Sequence, residues 1–127
     1  MELQRGIETV LVVDDEQLVR ELARDILKRY GYTVLMASGG EEAVELYRQH
    51  SGTVALVVLD ILMPDIDGVE TFHRIREIDP SARVIISSGY DEAHAADKLM
   101  QEGAAAFVQK PYRIADLLKV VREAIEK

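Results

Sequence analysis

Residues 54–60 read Val54-Ala55-Leu56-Val57-Val58-Leu59-Asp60, an apolar run that stops at an aspartate. A run that is apolar at every position is typical of a strand buried on both faces, as in a parallel sheet covered by helices. It is the most apolar of the predicted strands, so we place it at the centre of the sheet. Asp60 then stands at the carboxyl end of that central strand.

Strands and helices alternate on both sides of this run. The predicted strands are residues 9–13, 33–37, 54–59, 83–87 and 106–109. Apolar residues spaced three or four apart predict helices over residues 19–30, around 43–47, and over 69–78, 91–102 and 113–126. Gly31 is expected to end the first helix in a left-handed conformation, and Ser38 is the expected N-cap of the second.

Five strand–helix pairs joined by short connections predict an α/β fold. We expect a doubly wound, five-stranded parallel sheet, (βα)5, with right-handed crossovers that place helices on both faces. The length of 127 residues is near the usual size of one domain, so we expect a single domain over residues 1–127.

Composition excludes several classes of function. Lys and Arg number 15 against 23 Asp and Glu, and the net charge of −8 repels nucleic acid and anionic lipid. We therefore expect no direct nucleic-acid contact and no membrane partner. The chain has no Cys, which excludes disulfides, thiolate catalysis and Cys-based zinc sites. No apolar run is long enough for a signal peptide or a membrane span, and we expect a cytoplasmic protein.

Polar side chains follow the predicted strands at their carboxyl ends, where function gathers in open α/β sheets. Clustered carboxylates repel one another, and a hard divalent cation such as Mg²⁺ relieves that repulsion. A cation, an ammonium and a hydroxyl together complement a phosphoryl group, and Asp60 is the best candidate nucleophile for an aspartyl phosphate. The residues at these ends are Asp14, Asp15, Ser38, Asp60, Ser88 and Lys110.

These residues resemble the bacterial two-component response regulator receiver domain, of flavodoxin-like fold, over nearly the whole chain. Each matching dipeptide alone is weak evidence, but their order and their positions at strand ends are specific. The matching motifs are Asp14-Asp15-Glu16, Asp60, Met63-Pro64-Asp65-Ile66-Asp67-Gly68, Ser88-Gly89 and Lys110-Pro111.

The resemblance implies strand order 2-1-3-4-5 and a role for each site residue. Asp60 becomes the phosphoacceptor, and Ser88 and Lys110 contact the phosphoryl oxygens. Asp15 and Asp60 become direct Mg²⁺ ligands with the main-chain carbonyl of Leu62, and Asp14 acts mainly through water. Phe107 takes the position of an aromatic switch residue, and the Lys110–Pro111 bond is expected to be cis.

Each residue also has a simpler interpretation. Asp14 or Asp15 would cap the first helix, as Asp does at many strand-to-helix turns. Strand alternation sends one of Ser87 and Ser88 to the core and the other to the pocket, and the glycine after Ser88 favours Ser88. Phe107 would be an ordinary core aromatic. His50, His73 and His94 share no ligand spacing and are interpreted as surface residues.

Three other functions compete with the receiver. A phosphatase of the haloacid dehalogenase type needs a second aspartate two residues after the nucleophile, where this chain has Leu62. A nucleotide-binding domain needs a glycine-rich loop after the first strand, where this chain has Asp14-Asp15. The third alternative is a receiver fragment of a hybrid histidine kinase, which the sequence leaves open.

The resulting prediction is a signalling switch and not an enzyme that turns over an external substrate. A sensor histidine kinase or a histidine phosphotransfer protein supplies the phosphoryl group, and phosphorylation changes the surface of the fourth and fifth helices. Arg113, Lys119 and Arg122 of the final helix, opposite the acids of the fourth, are expected to supply paired contacts between two copies of the chain. We expect that surface to promote either homodimerisation or docking of a partner.

Overall fold

The computed structural model describes residues 5–89 and 93–127, which form five strands and five helices in strict alternation. No helix within these two ranges combines the length and the apolar character that a membrane crossing requires. The elements are β1 (Thr9–Val13), α1 (Gln17–Arg29), β2 (Thr33–Ala37), α2 (Gly40–His50), β3 (Val54–Asp60), α3 (Gly68–Ile78), β4 (Val84–Ser88), α4 (Ala93–Gln101), β5 (Ala106–Gln109) and α5 (Ile114–Glu126).

The five strands form one parallel sheet in the order β2-β1-β3-β4-β5, which confirms the predicted fold class and strand order. β3 lies at the centre, as its apolar sequence indicated. Its side chains alternate between two buried clusters. Val57 and Leu59 pack with Phe72 of α3 on one face, whereas Leu56 and Val58 pack with residues of α1 and α5 on the other.

The turn after α1 follows the prediction. Gly31 has φ +104°, a left-handed conformation that disfavours any residue with a Cβ atom. A Cβ at this position would also collide with the main-chain oxygen of Gly6. Helix α1 therefore ends at Arg29, and the chain turns directly into β2.

Some predicted boundaries differ in the structure by a residue or two. Strand β4 covers Val84–Ser88, one residue later than predicted, because Ser88 still pairs with Gln109 of β5. Helix α5 begins at Ile114, with Arg113 as its N-cap. Helix α4 is described from Ala93, and the predicted start at Asp91 lies outside the described residues.

Ser38 is not the N-cap of α2, contrary to the prediction. Gly39 occupies that position, and the main-chain nitrogen of Ser38 instead donates to Glu42 Oε1 at 2.7 Å. The acceptors at this helix end come from the loop after β3. Asp65 Oδ1 accepts from the nitrogen of Gly40 at 3.1 Å, and Oδ2 accepts from the nitrogen of Glu41 at 2.9 Å. Gly39 permits this approach, since a Cβ there would lie 2.8 Å from Asp65 Oδ2.

Asp65→Ala removes both acceptors, and we expect the free energy of unfolding to fall by about 1 kcal/mol, the usual worth of an N-cap. The hydrogen bonds from Glu41 and Gly40 hold the pKa of Asp65 below its usual range. The stabilisation is therefore present above about pH 4 and is lost as the pH falls through the folded-state pKa. Urea unfolding at pH 7 and at acid pH measures both effects. Asp97→Ala, at an exposed position of α4, is the control, and equal losses from the two variants would contradict this cap.

Candidate functional site

The three predicted carboxylates meet at the carboxyl edge of the sheet. Asp60 is the last residue of β3, and Asp14 and Asp15 follow β1, its hydrogen-bonded neighbour. One carboxylate oxygen from each residue lies within 4.8 Å of the other two. Asp14 and Asp60 are buried, whereas Asp15 is exposed, so the cluster opens to solvent on the Asp15 side. Three carboxylate oxygens at this separation are a donor set suited to a hard divalent cation.

Lys110 completes the cluster from the other half of the sheet. It follows β5, and its side chain extends past the end of β4 to reach both buried aspartates. The Nζ atom donates a hydrogen bond to Asp14 Oδ2 at 3.0 Å and lies 2.9 Å from Asp60 Oδ1. The main-chain nitrogen of Lys110 donates to the oxygen of Ser88 at 2.9 Å, which fixes the start of the β5–α5 loop against β4.

Burial and charge oppose each other at this site. Burial raises the pKa of Asp60 to about 7, the Lys110 ammonium lowers it, and the charge of Asp14 raises it again. Burial also disfavours the charge on Lys110, but its contacts with Asp60 and Asp14 outweigh that effect and hold the pKa of Lys110 above its usual range. The metal-free cluster is therefore a strained arrangement of like charges that a cation would relieve.

Two buried side-chain atoms of the described residues lack a hydrogen bond, and both belong to this site. They are Ser88 Oγ and Asp60 Oδ1, the latter meeting Lys110 only as an ion pair. Ser88 Oγ has no partner at all, which costs about 1–3 kcal/mol for a buried polar group, whereas Asp60 Oδ1 has the Lys110 ammonium at 2.9 Å. Because such groups are rare in folded proteins, an unpartnered Ser88 hydroxyl beside the carboxylate cluster indicates a site for a ligand with polar atoms.

The two adjacent serines have different surroundings. Ser87 Oγ lies 2.6 Å from the Tyr112 hydroxyl, and both residues are buried. Ser88, the next residue along the strand, points to the opposite face and keeps its hydroxyl unpaired. The structure thus agrees with the expected alternation and supports Ser88 as the residue that meets a ligand.

The simpler interpretation of the β1–α1 turn is wrong, because neither Asp14 nor Asp15 caps α1. The N-cap is Glu16, whose main-chain nitrogen donates to Asp14 Oδ1 at 2.9 Å. Arg20 Nη1 donates to the main-chain oxygen of Asp14 at 2.7 Å. Arg20 could not be recognised from the sequence, since its distance of six residues from Asp14 matches no ligand spacing.

Phe107 is not a core aromatic, which was the simpler interpretation of this residue. Its side chain is 40% exposed and lines a groove of about 660 Å³ beside α5. Leu62 is 60% exposed, next to the cluster.

The Lys110–Pro111 bond is cis, as the resemblance implied. Within the described ranges no histidine joins a cluster of metal ligands, and His73 pairs with Glu102 at 3.2 Å.

The family described as the response regulator receiver domain matches residues 10–122. The chemotaxis protein CheY of Bacillus subtilis is 34% identical over 117 residues, covering 91% of this chain and 96% of CheY. The sensor kinase CckA of Brucella abortus is 37% identical over 122 residues, which cover 96% of this chain but 13% of CckA.

Solved structures agree with these relatives. A receiver domain protein from Clostridium thermocellum superposes with a TM-score of 0.90 at 29% identity, over 94% of each chain. CheY of Borrelia burgdorferi, in the CheX–CheY–BeF3–Mg complex, gives a TM-score of 0.89 at 33% identity, over 94% of this chain and 90% of that one. The present chain therefore belongs to the response regulator receiver domain family and is a CheY-like receiver of the two-component signalling type.

Proposed function

We propose that this receiver accepts a phosphoryl group on Asp60 in a Mg²⁺-dependent reaction and acts as a signalling switch. One observation carries the proposal. The buried Ser88 hydroxyl, which has no hydrogen bond, lies in the same site as the Asp60 carboxylate and the Lys110 ammonium, which are 2.9 Å apart. A hydroxyl donor, a cation and a carboxylate nucleophile are the groups that a transferred phosphoryl group requires.

The chain's own residues divide the reaction between them. A carboxylate oxygen of Asp60 bonds to the phosphorus of a phosphohistidine, while the P–N bond breaks and the imidazole nitrogen leaves with the electron pair. The Lys110 ammonium, which contacts the Asp60 carboxylate before the reaction, then pairs with a phosphoryl oxygen. The Ser88 hydroxyl donates to another phosphoryl oxygen and so gains the hydrogen bond that it lacks.

Asp14, Asp15 and Asp60 are the residues that would hold the cation, together with the main-chain carbonyl of Leu62 that the family resemblance implies. When bound there, Mg²⁺ supplies positive charge that offsets the charge of the phosphoryl oxygens. The fit rests on the oxygen-only donor set and on the three carboxylate oxygens within 4.8 Å of one another. The BeF3–Mg complex of Borrelia burgdorferi CheY supports the same assignment by similarity.

The partner in this proposal is a sensor histidine kinase or a histidine phosphotransfer protein. The receiver consumes the partner's phosphoryl group on its own side chain, so it is a switch and not an enzyme that turns over an external substrate. CheY proteins recur among the relatives similar to this chain, whereas CckA is a sensor kinase, so the hybrid-kinase receiver is the less supported alternative.

Incubation of the wild-type chain with acetyl phosphate and Mg²⁺ tests the proposal directly. We expect intact-mass measurement to show one added phosphoryl group, and none when EDTA replaces Mg²⁺. A chain that gains no phosphoryl group, and whose NMR spectrum is unchanged by beryllofluoride with Mg²⁺, would contradict the proposed function.

Leu62 is placed to shield the acyl phosphate from water. It lies two residues after Asp60, its side chain is 60% exposed, and it has no group that orients a water molecule. We expect Leu62→Asn to accelerate loss of the phosphoryl group by about tenfold, because the Asn carboxamide can hydrogen-bond a water molecule and so position it for attack. Decay after removal of acetyl phosphate, followed by intact mass, measures the rate. Leu62→Met, which stays apolar, is the control, and equal decay in both variants would refute shielding. We expect Tyr90, two residues after Ser88 in the sequence, to share this role; it lies outside the described residues.

We propose that the signal leaves through α4, β5 and α5, the elements next to Ser88 and Phe107. Exposed Phe107 beside the groove at α5 supports this placement. Arg122 is not available for the predicted contacts between two copies, because it binds Glu8 of its own chain at 2.7 Å and is mostly buried. Amide hydrogen exchange with and without beryllofluoride is expected to change in residues 93–126. A change confined to the Asp60 pocket would contradict this output face.

A further inference from the structure

The hydrogen bond between Ser87 and Tyr112 has no part in the phosphoryl site described above. We infer that this buried pair positions Lys110, and that Tyr112 is thereby a positioning residue for phosphorylation of Asp60. The inference rests on the proposed function and adds to it a pair of residues that touch neither the carboxylates nor the phosphoryl group.

The pair joins two elements that meet at the site. Ser87 lies in β4, directly before Ser88, and Tyr112 lies in the β5–α5 loop, two residues after Lys110. Their oxygens are 2.6 Å apart, and the Tyr112 ring packs in the buried cluster with Val108 and Leu117. The ring therefore has a fixed position, and the hydrogen bond fixes its hydroxyl end to β4.

The segment from Lys110 to Tyr112 is consequently attached to β4 at two points. The main-chain nitrogen of Lys110 donates to the oxygen of Ser88 at 2.9 Å, and the Tyr112–Ser87 bond holds the chain two residues later. This matters because the Lys110 ammonium must pass the end of β4 to reach Asp14 and Asp60, at 3.0 and 2.9 Å. A loop released from one of its two attachments allows the ammonium to move away from Asp60, and small displacements of a positioned group are costly in rate.

The Ser87–Tyr112 hydrogen bond persists at neutral pH. Burial raises the pKa of Tyr112 to about 12, so the phenol keeps its proton at neutral pH. Each hydroxyl of the pair is buried, and neither has another hydrogen bond among the described contacts. Removing one hydroxyl therefore leaves the other without a partner, whereas removing both does not, which allows a double-variant test.

The experiment compares Tyr112→Phe, Ser87→Ala and the double variant with the wild type. In metal-free protein, we expect the NMR signal of the Lys110 ammonium to move toward that of a free lysine in all three. With acetyl phosphate and saturating Mg²⁺, we expect the phosphorylation rate to fall about three- to tenfold in each single variant, the factor that one buried hydrogen bond supplies. The double variant should be no slower than the slower single variant, because the pair acts as a unit.

Tyr47→Phe is the matched control, because it also removes a buried phenol hydroxyl with one partner, Asp79 Oδ2 at 3.0 Å, at the far end of the sheet. It should leave the Lys110 signal and the rate unchanged. If Tyr112→Phe behaves like Tyr47→Phe in both measurements, or if the two single effects simply add, the inference is overturned. If a single variant fails to fold, the double variant, which leaves no unpaired hydroxyl, decides by the same two measurements. Failure of the wild type to accept phosphate would contradict the proposed function instead, and the Lys110 signal would still test this pair.

Discussion

Asp60→Asn is expected to abolish phosphorylation of the chain by acetyl phosphate. The substitution keeps the size and shape of the side chain but replaces the nucleophilic carboxylate with an amide, so no acyl phosphate forms at this position. Burial raises the pKa of Asp60 to about 7, which shows that its negative charge is unfavourable in the metal-free chain. Because the substitution removes this charge, we expect the variant to remain folded without metal. Intact mass after incubation with Mg²⁺ and acetyl phosphate measures the effect, and thermal unfolding checks the fold.

Asp97→Asn is the control for this experiment, because it makes the same chemical change at an exposed position of α4, outside the cluster. It should be phosphorylated at the wild-type rate. Phosphorylation of Asp60→Asn at that same rate would show that another residue is the acceptor. Asp14 and Asp15 would then be the first residues to replace, since their carboxylates lie in the same cluster.

The position of the site could be predicted because it depends on topology alone. Parallel strands bring their carboxyl ends to one edge, so Asp14, Asp60 and Lys110 had to meet once the alternation of strands and helices was recognised. The central position of β3 followed from a sequence that is apolar on both faces. These features need no knowledge of how any loop is shaped.

Features that depend on contacts between distant loops could not be predicted. The cap of α2 comes from Asp65, about 25 residues further along the chain, so Ser38 looked like the cap when only neighbouring residues were considered. The exposure of Phe107 depends on how α5 packs beside β5, and an aromatic residue in a short strand usually indicates core. The Ser87–Tyr112 hydrogen bond could not be predicted for the same reason, because its partners are 25 residues apart in the sequence.

Mg²⁺ is expected to stabilise the folded chain, and the gain should be larger at pH 8 than at pH 5.5. Only the folded state assembles the three carboxylates, so the gain follows ligand linkage and reaches about 2.7 kcal/mol at a hundredfold excess of Mg²⁺ over Kd. The folded-state pKa of Asp60 is raised to about 7. The free energy of unfolding of the metal-free chain therefore falls as the pH rises from the unfolded-state pKa of Asp60, about 4, through 7. Mg²⁺ binds only the charged carboxylate of Asp60 and so competes with the proton for it, which makes the gain from Mg²⁺ larger at high pH. Thermal melts in Mg²⁺ and in EDTA at the two pH values measure the difference.

Asp15→Ala is the decisive variant in this measurement, because it removes a carboxylate of the cluster that is exposed and has little part in the core. We expect its melting temperature to be the same in Mg²⁺ and in EDTA at both pH values, while Asp97→Ala keeps the full wild-type difference. A wild-type melting temperature that is the same in Mg²⁺ and in EDTA at pH 8 would contradict the proposed role of the metal in the reaction. A gain of equal size at pH 5.5 and pH 8 would place the cation on carboxylates other than Asp60, because only a ligand with a raised pKa makes the gain depend on pH in this range.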